Sequence, residues 1–205
     1  MARLTREQSQ AQTRARLLAS AREVVARDGY EGATVERIAE EAGYSKGAFY
    51  SNFVGKEDIF LYLLETHSGE DVVELQKLLG GISDGRALIR ELSEWSNERA
   101  SDPSLGMLAL ELFRRARRDA TFGERHSNLF RAQWEGLGKI LLRLFPEGKA
   151  PAEPVTLGGI VFELTYGAAS SFTNGPSVGE LVNVALTSMY EAYGVDRKEK
   201  VSKNL

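Results

Sequence analysis

The chain contains no cysteine. That excludes a disulfide framework and any site built on a thiolate. Histidine is nearly absent: His67 and His126 are the only two, which argues against a histidine-based metal site. No apolar run approaches the roughly 18 residues of a membrane-spanning helix, and no signal-peptide pattern opens the sequence. A cytoplasmic protein is the expectation. No stretch alternates apolar and polar residues as a half-buried strand would, and there is no internal repeat. There is no nucleophile–base pair at motif spacing, no phosphate loop and no metal cluster. An enzyme is therefore not expected, and neither is a cofactor or a metal.

What is present is ordinary in bulk and informative in detail. The 205 residues are 42% hydrophobic, enough for one large soluble domain or two small ones. The net charge of −3 argues mildly against nucleic acid, but its distribution matters more. Residues 1–27 carry Arg3, Arg6, Arg14, Arg16, Arg22 and Arg27 against Glu7 and Glu23. Then Glu31, Glu36, Glu40 and Glu41 face only Arg37. A solvated helix face explains most single arginines. The position of the basic stretch, just before the motif described next, favours phosphate contact for some of them.

The stretch Thr34–Phe53, TVERIAEEAGYSKGAFYSNF, reads as two short helices around a tight turn. Thr34 is a candidate N-cap, its hydroxyl accepting from a free amide. Ile38, Ala39 and Ala42 share one helical face. Gly43 ends the first helix, as the residue that tolerates a left-handed backbone. Ser45 can cap the second, and Phe49 is its inward anchor. A small residue one turn before the glycine, Ala39, lets the two helices cross closely. This is the pattern of a helix-turn-helix, whose second helix enters the DNA major groove. Ser45 and Lys46 stand at its N-terminus, where free amides and the dipole attract phosphate. Gly47 allows close approach, and Tyr50 and Asn52 carry groups able to reach phosphates or base edges.

Residues 43–60, GYSKGAFYSNFVGKEDIF, resemble the recognition-helix signature of the TetR family of bacterial transcriptional regulators. Gly43, Ser45, Lys46, Gly47, Tyr50, Phe53, Lys56 and Glu57 match the family pattern, while Asn52 stands where a histidine is usual. The resemblance is specific over about residues 12–65 and architectural beyond. It implies an all-α protein of about nine helices: an N-terminal three-helix DNA-binding domain, then a larger ligand-binding and dimerisation domain. The expected boundaries are a flexible basic arm at 1–10, a DNA-binding domain at 11–65 with its helix-turn-helix at 34–53, a second domain at 66–195 and a tail at 196–205. The candidate DNA contacts are Thr34, Tyr44, Ser45, Lys46, Gly47, Ala48, Tyr50, Ser51, Asn52 and Lys56. Lys56 opens a helix, where the dipole disfavours a cation; a phosphate there would offset the cost.

The remaining sequence reads as helical throughout. The first helix is expected at 11–28, stopped by Asp28-Gly29, with Tyr30 packing under the three-helix core. A long fourth helix from Lys56 ends at Gly80-Gly81, with Ser68-Gly69 a candidate kink. Further helices are expected at 84–100, 103–117 (opened by Asp102-Pro103), 119–144, 153–173 and 178–193. The run Arg114, Arg115, Arg117 and Arg118 reads as a solvated or salt-bridged helix end, given Glu111 and Asp119 beside it.

A DNA module alone does not need so many further residues. Two physical reasons are natural. The first is pairing, since two modules on a dyad read a palindrome with half-sites roughly 34–36 Å apart. Helix 153–173 is rich in small residues, including Gly158, Gly159, Gly167, Ala168, Ala169 and Ser170, and is apolar on more than one face, as a helix buried on more than one side is. In the family resemblance the last two helices form a four-helix bundle with their copies. Candidate interface residues are Ile160, Leu164, Gly167, Ala168, Leu181, Val182, Ala185 and Met189; ordinary intrachain core is the alternative. The second reason is a ligand. Trp95, Met107, Phe113, Phe122, His126, Phe130, Trp134, Phe162, Glu163 and Tyr166 could line an apolar pocket with a few polar groups, although aromatics at helical spacing also serve as plain core. An inducer-binding second domain is what the resemblance implies.

The resulting expectation is a homodimeric, sequence-specific DNA-binding regulator. It would act as a repressor on a palindromic operator, released by an apolar or aromatic small molecule. A regulator without such a ligand, answering to a protein partner or its own concentration, and an activator both stay open.

Overall fold

A computed structural model describes residues 5–101, 104–167 and 174–194. Among the described residues there is no strand. The helices are α1 (Arg6–Gly32), α2 (Val35–Glu41), α3 (Lys46–Tyr50), α4 (Lys56–Gly80), α5 (Gly85–Ala100), α6 (Ser104–Ala116), α7 (Ala120–Leu141), α8 (Pro154–Tyr166) and α9 (Val178–Met189). A 3₁₀ turn, Leu142–Leu144, follows α7, and a π turn, Tyr190–Gly194, follows α9. No described helix is long and apolar enough to cross a membrane. The expected starts Asp102-Pro103, the residues 168–173 of the small-residue helix and the tail from Val195 lie outside the described residues.

The chain divides into two compact units: residues up to His67 with Leu108–Gly123, and residues 68–107 with those from Glu124 onward. In the first unit α1 begins five residues earlier than expected. Thr5 and Gln8 form a reciprocal capping box: the Thr5 hydroxyl accepts from the Gln8 amide at 3.2 Å, and Gln8 Oε1 accepts from the Thr5 amide at 2.9 Å. Two free amides are thereby satisfied, so residues 6–10 belong to the helix rather than to a flexible arm. At the other end Gly29 adopts φ of 70° and breaks the helix geometry, and one more turn runs on to Gly32.

The core of this unit follows the apolar stripes of its helices. Leu17, Ala21, Val24, Ile38, Ala39, Phe49, Phe53, Ile59 and Phe60 are all buried. Ser20, also buried, donates its hydroxyl to the Ile38 carbonyl at 2.7 Å and pins α1 to α2. Tyr30 packs its ring 5.5 Å from that of Phe60. A charged network closes the outer side: Arg27 pairs with Asp28 and Glu41, and Arg37 with Asp28, at 3.1–3.2 Å. The guanidinium of Arg27 beside it holds the Asp28 carboxyl below the usual carboxylate range.

The second unit has its own core. It is built from Leu75 and Leu79 of α4, Leu88, Ile89, Leu92 and Trp95 of α5, Leu137 and Leu141 of α7, Leu157, Val161 and Phe162 of α8, and Val178, Val182 and Leu186 of α9. Three close approaches, at two helix interfaces, bring backbones together. A Cβ on Gly138 would lie 1.7 Å from the Pro154 carbonyl oxygen, and one on Gly158 would lie 1.9 Å from that of Trp134. A Cβ on Gly179 would lie 2.8 Å from the Ser93 carbonyl oxygen. Gly158 and Gly159 therefore serve close approach of α7 and α8 within one chain, not a partner. The helix α4 passes Ser68-Gly69 without a break. Arg143 donates to the Leu79 carbonyl in the last turn of α4 at 2.9 Å and to the Ile82 carbonyl just beyond it, as suits a cation at the negative end of a helix.

Candidate nucleic-acid interface

The turn between α2 and α3 is set by two caps and one glycine. Thr34 accepts from the Arg37 amide at 3.3 Å, and Ser45 from the Ala48 amide at 3.2 Å. Gly43, between the helices, has φ of +76°, a conformation that costs little only for glycine. Phe49 is fully buried and fixes which face of α3 looks outward.

That outward face carries Ser45, Lys46, Gly47, Tyr50 and Ser51, all exposed. The hydroxyls of Thr34 and Ser45 accept within the chain, but each keeps a proton to donate outward. The Ser51 hydroxyl donates to the Gly47 carbonyl at 3.0 Å. Tyr44 and Ala48 are half-buried at the margin. Tyr50 is 51% exposed and leans edge-on against Phe49, with ring centroids 5.6 Å apart. Lys46 forms an ion pair with Glu36 of α2. Each partner strengthens the charge of the other: Glu36 raises the Lys46 ammonium, and Lys46 lowers the Glu36 carboxyl.

Two further expected contacts also have partners within the chain. Asn52 turns its amide back to the Ala48 carbonyl at 2.8 Å, and its Oδ1 is buried. In the free protein Asn52 is half-buried. Lys56 places its ammonium 4.0 Å from the centroid of the Tyr30 ring. This contact orients the charge without cancelling it and offsets the cost of a cation at a helix start.

Arg14 has a role that the sequence did not suggest. Its guanidinium donates to the Asn52 carbonyl at 2.7 Å and lies 4.3 Å from the ring centroids of both Phe53 and Tyr62. Arg27 is also occupied, in the ion network above. Arg6, Arg16 and Arg22 remain exposed on α1. Of the later basic run, Arg114 pairs with Glu111 at 3.4 Å, while Arg117 and Arg118 are exposed.

The candidate ligand residues divide between the units. Phe113, which is exposed, and the half-buried Phe122 belong to the first. In the second, Trp95 meets Phe162 edge-on at 6.3 Å, and Phe162 stacks on Tyr166 at 6.0 Å. This aromatic row ends in a polar cluster. Tyr166 donates its hydroxyl to Asp71, which is wholly buried; Arg99 pairs with Asp71 at 3.0 Å and also with Glu74; Trp95 donates to Glu74 at 3.1 Å. Burial, then the Asp71 charge, pushes the Tyr166 phenol far above its ordinary value. His126 is buried with its ring 4.7 Å from Phe130, Trp134 lies over Gly159, and Met107 and Glu163 are exposed. Among the candidate interface residues, Val182 is fully buried in the core of its own chain, so it offers nothing to a partner. Ala168 lies outside the described residues. Leu164, Leu181 and Ala185 instead line an open groove of about 1020 Å³ between α5 and α9, with Asn97, Glu94 and Val184. Ile160 and Met189 are half-buried and Gly167 is exposed.

Comparison with known proteins agrees with this geometry. Residues 17–63 match the model of the bacterial regulatory proteins of the tetR family. The transcriptional repressor AcnR of Corynebacterium glutamicum is 47% identical over 51 residues, 25% of this chain and 27% of AcnR. The transcriptional activator FasR of Mycolicibacterium smegmatis is 33% identical over 81 residues, 40% of this chain and 37% of FasR. The match thus spans less than half the length of either. Among solved structures, the transcriptional regulator FadR of Bacillus subtilis in complex with stearoyl-CoA superposes with a TM-score of 0.64 at 20% identity, covering 89% of this chain and 99% of that one. At that identity the likeness is one of fold. Residues 17–63 thus form a module of the bacterial regulatory proteins of the tetR family, and along nearly its whole length the chain shares the all-helical fold of a solved regulator.

Proposed function

We propose that the chain is a homodimeric, sequence-specific DNA-binding transcriptional regulator of the cytoplasm, and that it represses until a small molecule releases it from a palindromic operator. The observation that carries the DNA reading is the exposed face of α3. Gly47 is the most telling residue there. A Cβ at Gly47 would meet only Ser45 Oγ at 3.7 Å, an ordinary contact, and its φ is not positive. Glycine costs a helix about 1 kcal/mol relative to alanine, and nothing inside the molecule requires it. Close approach of an outside surface does. With Lys46 and Tyr50 on either side of it, that surface is a polyanion with base edges.

Pairing is supported by the open groove holding Leu164, Leu181, Val184 and Ala185. Ligand release is supported by the aromatic row Trp95–Phe162–Tyr166 and by the FadR structure, which holds stearoyl-CoA. The helix α4 supplies Lys56 at one end and Asp71 and Glu74 of the polar cluster further along. A ligand that disturbs the cluster therefore acts on the helix that begins at the DNA module. A usable switch needs a coupling of roughly 1–3 kcal/mol. Activation is the second reading, favoured by the likeness to FasR. Where the bound site lies relative to its promoter decides between the two.

The test is a titration of genomic DNA fragments by fluorescence anisotropy across a salt series. Tight binding to particular fragments, weakening steeply with salt, is the expected result. Equal affinity for every fragment would overturn the sequence-reading role.

A further inference from the structure

The two lysines flanking the proposed reading surface are held in opposite ways. Lys56 rests against the Tyr30 ring, which leaves its positive charge available. Lys46 is paired with Glu36, which cancels it. The pair joins two helices across the turn, and both side chains are more than half exposed, at 54% and 59%. Nothing in the core requires it. Glu36 sits in the first turn of α2, and that helix start is already capped by Thr34.

We propose that Glu36 is an affinity-setting residue: an internal anion that occupies Lys46 in the free protein and must be displaced by a DNA phosphate before that lysine can contribute to binding. The proposal rests on the DNA-binding reading of α3 and adds a residue that reading does not contain. Its physics is a competition. A free lysine reaching a phosphate releases a counterion from DNA, giving a salt slope of about 0.9 per contact. A lysine that arrives with its own carboxylate is a neutral pair until the two separate. It adds little to long-range attraction and less than a full contact to the slope. Non-specific DNA is held chiefly by such phosphate contacts. Muting one of them weakens the background more than it weakens a site that also engages base edges. Glu36 thereby raises the contrast between operator and random DNA.

The experiment compares the wild type, Glu36→Gln, Lys46→Gln and the double variant. The probes are a fluorescein-labelled random-sequence duplex and the tightest genomic fragment, across a salt series. Glu36→Gln is expected to bind random DNA about two- to fivefold tighter at low salt, the scale of one exposed ion pair. Its salt slope should steepen by up to about 0.9. The gain on the genomic fragment should be smaller. In the Lys46→Gln background the gain from Glu36→Gln should shrink, since the lysine it frees is gone. Thermal melts of all four confirm that each is folded. If the gain is the same with and without Lys46, Glu36 merely repels DNA through space and the proposal is overturned. It is overturned too if Glu36→Gln changes neither affinity nor slope while Lys46→Gln weakens binding; in that case the DNA reading survives. If no form shows salt-dependent binding, the DNA reading itself falls and the proposal falls with it.

Discussion

The Arg14 guanidinium, on α1, donates to the main-chain carbonyl of Asn52, just past the end of α3, at 2.7 Å. It does so from between the rings of Phe53 and Tyr62. An arginine of the basic N-terminal stretch thus holds the far end of α3 in place. Removing it with Arg14→Leu is expected to cost about 1.5–3 kcal/mol for the charge-assisted hydrogen bond, and about 0.5–1 kcal/mol for each ring contact. Arg14→Lys keeps the charge but not the planar fork, and should recover only part. Urea unfolding measures this. DNA affinity should fall without the loss of about 0.9 in salt slope that deleting a phosphate contact produces.

Tyr50→Ala and Lys46→Ala act on the exposed face alone. Each should leave stability within about 1 kcal/mol of the wild type, because neither side chain is buried. Each should weaken binding to the preferred fragment about tenfold or more. Full affinity in both variants, measured by anisotropy, would remove α3 from the interface.

Two glycines should respond to alanine for different reasons. Gly43→Ala adds a methyl into open space but keeps φ at +76°, so its cost is that of a left-handed alanine, about 1–2 kcal/mol. Gly43→Asn should recover part of it, since asparagine tolerates that region. Gly158→Ala would put a carbon 1.9 Å from the Trp134 carbonyl oxygen. It should cost more than the roughly 1–3 kcal/mol of ordinary overpacking, because backbone rather than a movable side chain is in the way. Thermal melts should rank Gly158→Ala as the worse of the two.

The Tyr166 phenol, buried against Asp71, is held well above its ordinary value. The folded state therefore favours the protonated phenol. That contribution is complete below the unfolded value of about 10 and is lost as pH rises above it, where the unfolded chain ionises and the folded one does not. Stability should fall with a slope of up to about 1.4 kcal/mol per pH unit in that range. Tyr166→Phe should remove this component of the alkaline decline, and Asp71→Asn should shrink it. Asp71→Asn should also destabilise at neutral pH by about 1–3 kcal/mol, since Tyr166 and Arg99 lose a charged acceptor while Arg99 keeps Glu74. Urea midpoints from neutral to alkaline pH test all three.

Val184 is 66% exposed in the groove between α5 and α9. Val184→Asp should therefore leave the fold of one chain intact. If two chains pair over this groove, the variant should sediment as a monomer where the wild type sediments as a dimer. An unchanged dimer would move the interface elsewhere.

The fold was legible where a rule acts locally. Thr34 and Ser45 as caps, Gly43 as the turn and Phe49 as the anchor all follow from residue type and spacing. The Thr5–Gln8 capping box is local as well, but the polar residues that follow it carry no apolar stripe to mark a helix start. The rest depended on contacts distant in sequence. The role of Arg14 was not legible because nothing near it in sequence points to Asn52, 38 residues on. Lys46 looked free because Glu36 lies ten residues back, across the turn. Gly158 looked like a site for a partner chain because a small residue reports close approach and not what approaches. Asn52 is a candidate base reader by type, and its bond to the Ala48 carbonyl is a local contact that residue type alone does not announce.

The paired glycines of α7 and α8 carry a mechanical consequence. With the Gly138 backbone against that of Pro154, and the Gly158 backbone against that of Trp134, no side chain lies between the helices at these points to act as a bearing. A shift of one residue along the axis, about 1.5 Å, would drive a Cβ-bearing neighbour into a carbonyl. The two helices can translate or rotate only as one beam. Any flexing of the second unit has to be taken up at its other helix contacts.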